Sequence, residues 1–200
     1  AMLGCAAATG LGAVFNAARA RPGQSLAVFG CGGIGLCAIA GAAIAGCTPI
    51  IAVDPNPLKL EAAKSMGAEL CLAGGSDTLA AVKQAVPAGL DYAVEASGRP
   101  EAMRLALECV RNQGGAAIII GNAHAGEKLE LDPKQLNMGK QLRGTWGGDT
   151  VPDRDFPRYF ALLQSGRLKL ERLVTARYSL EQINQALDDL EAGKVTRPLI

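Results

Sequence analysis

Short, unbroken aliphatic runs alternate along this chain with longer segments whose apolar residues recur at helical spacing. Leu26-Ala27-Val28-Phe29 and Ile50-Ile51-Ala52-Val53 lack the polar alternation of a strand with one wet face. Such runs suit parallel strands covered on both sides. The pattern predicts strands at Leu26–Phe29, Ile50–Val53, Glu69–Leu72, Tyr92–Glu95 and Ala116–Ile120. Helices fall between them at Gly33–Gly46, Pro57–Met66, Thr78–Ala85 and Pro100–Arg111. This alternation marks βαβ units, so the expected fold class is α/β with a doubly wound parallel sheet.

The two ends of the chain differ in texture. Leu3–Arg19 reads as a helix rich in small residues, already under way near residue 1. Leu129–Leu131 and Leu142–Trp146 read as two further short strands, with Asp132-Pro133 marking a turn and a helix start. Asp153–Gln164 and Leu180–Ala192 read as amphipathic helices, the second stopped by Gly193. Val195–Ile200 reads as a last strand that runs to the final residue. A helix that starts uncapped and a strand that ends with the chain suggest excision from something longer.

The first and second strands frame the chemistry. Gly30-Cys31-Gly32-Gly33-Ile34-Gly35 follows Phe29 directly, and Asp54 closes the next apolar run nineteen residues past Gly35. Gly30 permits a tight turn, Gly32 lets backbone approach a pyrophosphate, and Gly35 lets the helix pack close to its strand. The helix that opens at Gly33 and Ile34 offers unpaired N–H groups and a positive dipole end to phosphate. Strand, glycine turn, helix, strand and acid together make the dinucleotide-binding unit of a Rossmann-type sheet. The bland alternative is a plain glycine turn in an α/β protein. In open sheets of this kind the ligand crevice lies beyond the carboxyl ends of the strands. Gly30, Asp54, Ala96, Ser97, Gly98, Gly121 and Asn122 all sit at those ends and are expected to face one cleft.

Composition narrows the classes. A formal net charge of +1, no basic run and only 4% aromatic residues give no case for nucleic acid or an anionic membrane as partner. The apolar stretch from Ile34 to Ala45 is too short to span a bilayer, and no secretion signal is visible. The six cysteines include no C-x-x-C pair, and most lie in apolar segments. That usage fits packed thiols in a reducing cytoplasm.

Leu3-Gly4-Cys5-Ala6-Ala7-Ala8-Thr9-Gly10, then Pro22-Gly23, the glycine turn, Asp54 with Lys59, and Lys194-Val195-Thr196-Arg197-Pro198 form an ordered series. Over essentially the whole chain this series resembles the later part of the zinc-dependent medium-chain alcohol dehydrogenases. The closest flavour is the class holding glutathione-dependent formaldehyde and aryl-alcohol dehydrogenases. The resemblance implies three parts: a helix from the catalytic domain at 1–24, an NAD-binding Rossmann domain at 25–146, and a segment at 147–200 that returns to the catalytic domain. The C-terminal helices and strand would then be left from that domain.

The resemblance also assigns residues. Cys5 matches the third protein ligand of the catalytic zinc, although by residue type alone it is a small packed helix residue. Thr9 matches the residue against the nicotinamide, where the bland reading is a helix-surface threonine. Asp54 would accept hydrogen bonds from the adenosine ribose, favouring NAD over NADP; alternatively it only caps the next helix. Lys59 matches a ribose-contacting lysine or is simply solvated. Ser97, Gly98 and Arg99 match a loop lining the coenzyme cleft, and Gly121 and Asn122 match backbone near the nicotinamide amide. Arg197 matches an arginine paired with the pyrophosphate, or is a surface charge. In the family, zinc polarises the alcohol oxygen and hydride passes from the carbinol carbon to the nicotinamide.

The family's other zinc ligands, its proton relay and its four-cysteine zinc lobe would lie upstream of residue 1. The lone histidine, His124, falls on a loop where the family places no ligand. The expectation is a chain that binds NAD, with zinc only in the full-length enzyme, and turns over alcohol or aldehyde poorly by itself. A homodimer through the sheet edge is expected as well. The alternatives are a stand-alone nucleotide-binding regulatory module and a zinc-free relative resembling quinone reductases. Cys5, Asp54 and the lack of arginine in Pro55–Lys59 argue against the last.

Overall fold

In the computed structural model, which describes residues 3–200, the chain opens with a helical stretch whose middle is helix α1 (Ala8–Gly12). Strand β1 (Leu26–Phe29) and helix α2 (Gly33–Ala45) follow, then β2 (Ile50–Val53), α3 (Pro57–Met66) and β3 (Leu70–Leu72). The second half of the sheet is β4 (Tyr92–Glu95), β5 (Ala116–Ile119) and β6 (Gln141–Gly144), reached through α4 (Thr78–Ala85), α5 (Pro100–Cys109) and α6 (Lys134–Asn137). The six strands lie in the order β3-β2-β1-β4-β5-β6, all parallel. The winding reverses between β1 and β4, which makes a crevice at their carboxyl ends. The doubly wound Rossmann-type sheet is therefore present.

Alternate side chains of the strands feed two core layers. Leu26 and Val28 of β1 point to one side with Ile50, Ala52, Val94 and Ile118, where they meet α1, α2 and α3 through Leu11, Leu36, Ile39 and Met66. Ala27 and Phe29 point to the other with Ile51, Val53, Ala93 and Ala117, where they meet α4 and α5 through Val82, Ala106 and Leu107. Burial on both faces is why these strands read as continuous aliphatic runs. Each large side chain so buried contributes about 1.5–3 kcal/mol. Helix α2 is apolar all round because the sheet lies on one side and α1 on the other. A Cβ on Gly10 would stand 2.6 Å from the Cys37 Cβ, so only glycine lets the two helices come this close.

Elements outside the sheet depart from the sequence pattern in informative ways. The helix expected over Leu3–Arg19 is α-helical only across α1. Its flanks, Leu3–Ala7 and Ala13–Ala18, are wound as π-helix, and it ends at Arg19 in the left-handed region. Leu129–Leu131 is not a strand: it finds no ladder partner, and Leu131 instead packs on the core layer beside α4 and α5. The next expected strand is present as β6, beginning at Gln141 and ending before Trp146. Helix α7 (Pro152–Gln164) matches its expected span, with Pro152 in the first turn. Leu180–Gln182 is a 3-10 turn, fixed by a capping box between Ser179 and Gln182, and leads into α8 (Ile183–Glu191). The last strand shrinks to β8 (Pro198–Leu199). It pairs with β7 (Ala176–Arg177) in a separate two-stranded sheet. No helix among the described residues is long and apolar enough to cross a membrane.

Candidate functional site at the strand ends

The turn after β1 has the geometry its glycines predict. Gly30 adopts φ +92°, open to glycine at little cost. Gly32 is the extended N-cap of α2, and a Cβ on Gly35 would overlap the Gly30 carbonyl oxygen. Helix α2 therefore starts hard against β1, with its first-turn amides aimed past the strand end.

Asp54 closes β2 and is 5% exposed. Its Oδ2 accepts from the Cys31 amide at 2.8 Å and its Oδ1 from the Asn56 amide at 2.9 Å. Each carboxylate oxygen keeps acceptor capacity beyond one bond. The cap of α3 is Asn56, whose Oδ1 accepts from the Leu58 amide at 2.9 Å. The capping role thus belongs to Asn56, and Asp54 instead ties the glycine turn to the end of β2.

A cleft of about 670 Å³ opens beside Asp54. Gly30, Asp54, Lys59 and Ser97 line it among the expected residues, together with Arg99. Apolar walls come from Phe29, Val53, Leu79 and Leu105, and the loop Gly74-Gly75-Ser76 forms one rim. Arg104 on α5 also reaches the cleft, but its Nη1 is bound to Glu108 Oε1 at 2.7 Å. Neither the rim loop nor α5 was expected at the site. The available signal was the Gly-Gly-Ser run directly after the third strand. A second groove, between α2, α3 and Arg167, lies away from the carboxyl ends of the strands, and its cations cap helix carbonyls at Ile44 and Ser65.

The other expected residues form two contacts outside the cleft walls. Arg197, carried back by the tail, sits over the start of α2, where a Cβ on Gly33 would stand 3.8 Å from its Nη1. Ile34 follows in the same first turn. Gly98 and Gly121-Asn122 touch directly, since a Cβ on Gly121 would lie 2.7 Å from the Gly98 Cα. Ala96 links β4 back to β1, its amide donating to the Phe29 carbonyl at 2.8 Å.

Cys5 and Thr9 do not line the cleft. They lie on the opening helical stretch, Cys5 exposed and Thr9 buried at 8%, and Ala6 between them approaches the Gly33 position. No cluster of three or more His, Cys, Asp or Glu that could hold a metal ion exists among the described residues, so a lone Cys5 does not make a zinc site. His124 is on the loop after β5 as expected, its amide bound to Glu127 Oε2 at 2.9 Å. The Cys31 thiol is buried, and desolvation, helped by the Asp54 charge, pushes its pKa up to about 12. It is an inert packed thiol despite its place beside a helix start.

A family model described as Zinc-binding dehydrogenase matches residues 33–165. The chain belongs to the zinc-binding dehydrogenase family. Among its relatives, S-(hydroxymethyl)glutathione dehydrogenase of Synechocystis sp. (strain ATCC 27184 / PCC 6803 / Kazusa) is 40% identical, over 100% of this chain and 55% of the relative. Alcohol dehydrogenase class-2 isozyme 2 of Oryctolagus cuniculus is 35% identical, over 100% of this chain and 53% of the relative. The crystal structure of benzyl alcohol dehydrogenase from Acinetobacter calcoaceticus superposes with a TM-score of 0.92 at 32% identity, covering 98% of this chain and 54% of that one. The alcohol dehydrogenase zinc-binding domain protein from Burkholderia ambifaria gives the same TM-score at 37% identity, covering 98% and 53%. The chain spans about half the length of the relatives it matches. The resemblance read from the sequence is thus borne out at the level of family and fold.

Proposed function

We propose that the chain is the coenzyme-binding part of an NAD-dependent zinc alcohol dehydrogenase. The observation that carries this reading is Asp54, anchored by two backbone amides at the switch-point cleft and still able to accept from ribose hydroxyls. Gly33, Ile34 and the Arg197 guanidinium form the adjoining cationic corner for a pyrophosphate, which suits the planar fork of arginine. Lys59 and Ser97 complete the polar wall, with Gly32, Gly35 and Ala96 shaping the backbone beneath. Gly98, Gly121 and Asn122 would meet the nicotinamide half, with Thr9 beside it. Bound nicotinamide would supply the hydride acceptor for an alcohol, or as NADH the donor for an aldehyde.

In this reading, residues 25–146 are the coenzyme domain, while 1–24 and 147–200 belong with a catalytic domain. Cys5 would contribute one thiolate to a zinc site completed by residues outside this chain. Strand β6 ends the sheet with an exposed edge, and Trp146 beside it is 86% exposed, which supports a homodimer through that edge. Light scattering that gives a monomeric mass at micromolar concentration would rule the dimer out.

Calorimetric titration with NAD and separately with NADP tests the coenzyme reading. NAD binding well above NADP binding, with little alcohol oxidation by the chain alone, is expected. Equal or stronger NADP binding would overturn the role given to Asp54. Absence of binding to either would overturn the cleft as a self-sufficient site.

A further inference from the structure

Glu95 is the last residue of β4, level with Phe29 on β1 and Ile119 on β5. It is fully buried, at 0% exposure, and is the one acid in the innermost group of large side chains. Its Oε1 accepts three hydrogen bonds: from the Ser97 amide at 2.7 Å, the Ser97 hydroxyl at 2.5 Å and the Gly98 amide at 3.0 Å. Its Oε2 is buried and has no hydrogen-bond partner among the described residues. Its own carbonyl accepts from the Ile120 amide at 2.9 Å and the Gly121 amide at 3.0 Å. One residue thus carries the β4 turn on its side chain and the β5 turn on its main chain.

The fit around it is tight. A Cβ on Gly121 would stand 2.6 Å from Glu95 Oε2, and one on Gly30 would stand 2.7 Å from the Ser97 amide nitrogen. Gly98 adopts φ +78° as the chain folds back over the carboxyl. The Ser97-Gly98 turn is wedged between the glycine turn of β1 and Gly121-Asn122 of β5, and the Glu95 carboxyl is the post it hangs on. Arg99, four residues on, is exposed and leans towards Glu101 at 3.8 Å, and among the described residues no ion pair includes Glu95. A buried acid without a counter-charge or a partner for one oxygen is costly to keep for packing alone.

We propose that Glu95 is a positioning residue of the coenzyme cleft, whose Oε1 holds the Ser97-Gly98 turn in its place between Gly30 and Gly121, with Ser97 in the cleft wall. It acts through Ser97 and Gly98 and does not touch the ligand. This inference rests on the coenzyme reading above for its consequence, while the clamp itself can be read in the ligand-free chain.

The test compares Glu95→Gln, which keeps an acceptor at Oε1, with Glu95→Ala, which removes it. In the ligand-free chain, amide hydrogen exchange at Ser97 and Gly98 should accelerate at least tenfold in the alanine variant and less than threefold in the glutamine variant. The β1 and β5 strand amides should keep their protection in both. By calorimetry, the NAD Kd should rise tenfold or more in the alanine variant and stay within threefold in the glutamine variant. If the alanine variant does not fold, Glu95→Asp takes its place, because one methylene less withdraws the acceptor while a carboxyl remains. Alanine or aspartate variants that exchange and bind like the natural chain would overturn the proposal. So would a glutamine variant as weak as alanine, or loss of protection spread evenly over the sheet. If the natural chain binds no NAD, the cleft is not a self-sufficient site, and the exchange pattern at Ser97 and Gly98 still decides the clamp.

Discussion

Two acids stand on either side of β1 at the same end of the sheet, and they are held in opposite ways. Asp54, just past β2, divides its bonds, one amide to each oxygen, and faces the cleft. Glu95, at the end of β4, collects all its donors on one oxygen and is sealed beneath the turn it supports. The first arrangement leaves lone pairs for a ligand. The second leaves an oxygen with nothing to bind, and burial raises the pKa of its carboxyl against the pull of the Ser97 and Gly98 donors. A shared strand-end address therefore does not imply a shared role. What separates them is which groups the neighbouring turns bring to each oxygen.

The sharpest way to break the comparison is Asp54→Ala. It removes the proposed ribose acceptor and leaves the Cys31 and Asn56 amides unpaired, so the NAD Kd should rise by about 10–100-fold, roughly 1.4–2.7 kcal/mol. The preference for NAD over NADP should shrink in the same titrations, and unchanged affinity would remove Asp54 from the site. Next in size is Gly35→Ala, whose Cβ must displace the Gly30 carbonyl or shift α2. Overpacking of this kind costs about 1–3 kcal/mol, visible as a lower midpoint in urea with the slope unchanged.

The pH dependence of stability sharpens the contrast further, with Asp155 as the control. Side-chain hydrogen bonds from Arg154, outweighing burial and helped by the Val151 amide, lower the Asp155 pKa to about 2. A depressed carboxyl contributes stability above its unfolded value near 4 and loses it as pH falls towards 2. Asp155→Asn should therefore narrow its gap to the natural chain as pH drops through that window. Arg154 is partly exposed, so the whole effect is about 1 kcal/mol after solvent screening. Glu95 has the opposite sign. Its raised pKa means that its contribution is full below the unfolded value and is lost as pH rises through the folded one. Glu95→Gln cannot ionise, so its stability relative to the natural chain should improve as pH rises from 4 upwards. A gap that is flat with pH would show that Glu95 titrates alike in the folded and unfolded states. The smallest expected effect is at Lys140, whose Nζ caps the Leu107 and Glu108 carbonyls at 3.1 and 2.8 Å. Lys140→Met should cost about 0.5–1.5 kcal/mol in chemical denaturation and leave NAD affinity unchanged.

The sheet was legible because its signal is local and repeated. Aliphatic runs such as Ile50–Val53 are buried on both faces, and Gly30, Gly46 and Gly67 mark turns where left-handed backbone is needed. The tail was less legible because its pattern has two solutions. Lys128-Leu129-Glu130-Leu131 alternates like a strand, but no ladder pairs it, and the alternation only seats Leu131 on the core. The opening helix carries no mark of its π-turns, since runs of alanine and glycine tolerate either winding. The sequence places Glu95 only as the last residue of a strand. Nothing in Tyr92-Ala93-Val94-Glu95 tells a solvated terminal acid from one folded over by the next three residues.

The sequence by itself determined the parallel sheet, the glycine turn and the acid after β2, because each depends on residue types within a few positions of one another. Tertiary structure alone decided which charges are free and which are captured. Arg197 reaches Gly33 across most of the chain, the Cys31 amide of the β1 turn reaches Asp54 past β2, and Gly121 of the β5 turn closes over Glu95. Those outcomes depend on distances between turns from separate strands, and the packing of the sheet sets those distances, not the local pattern.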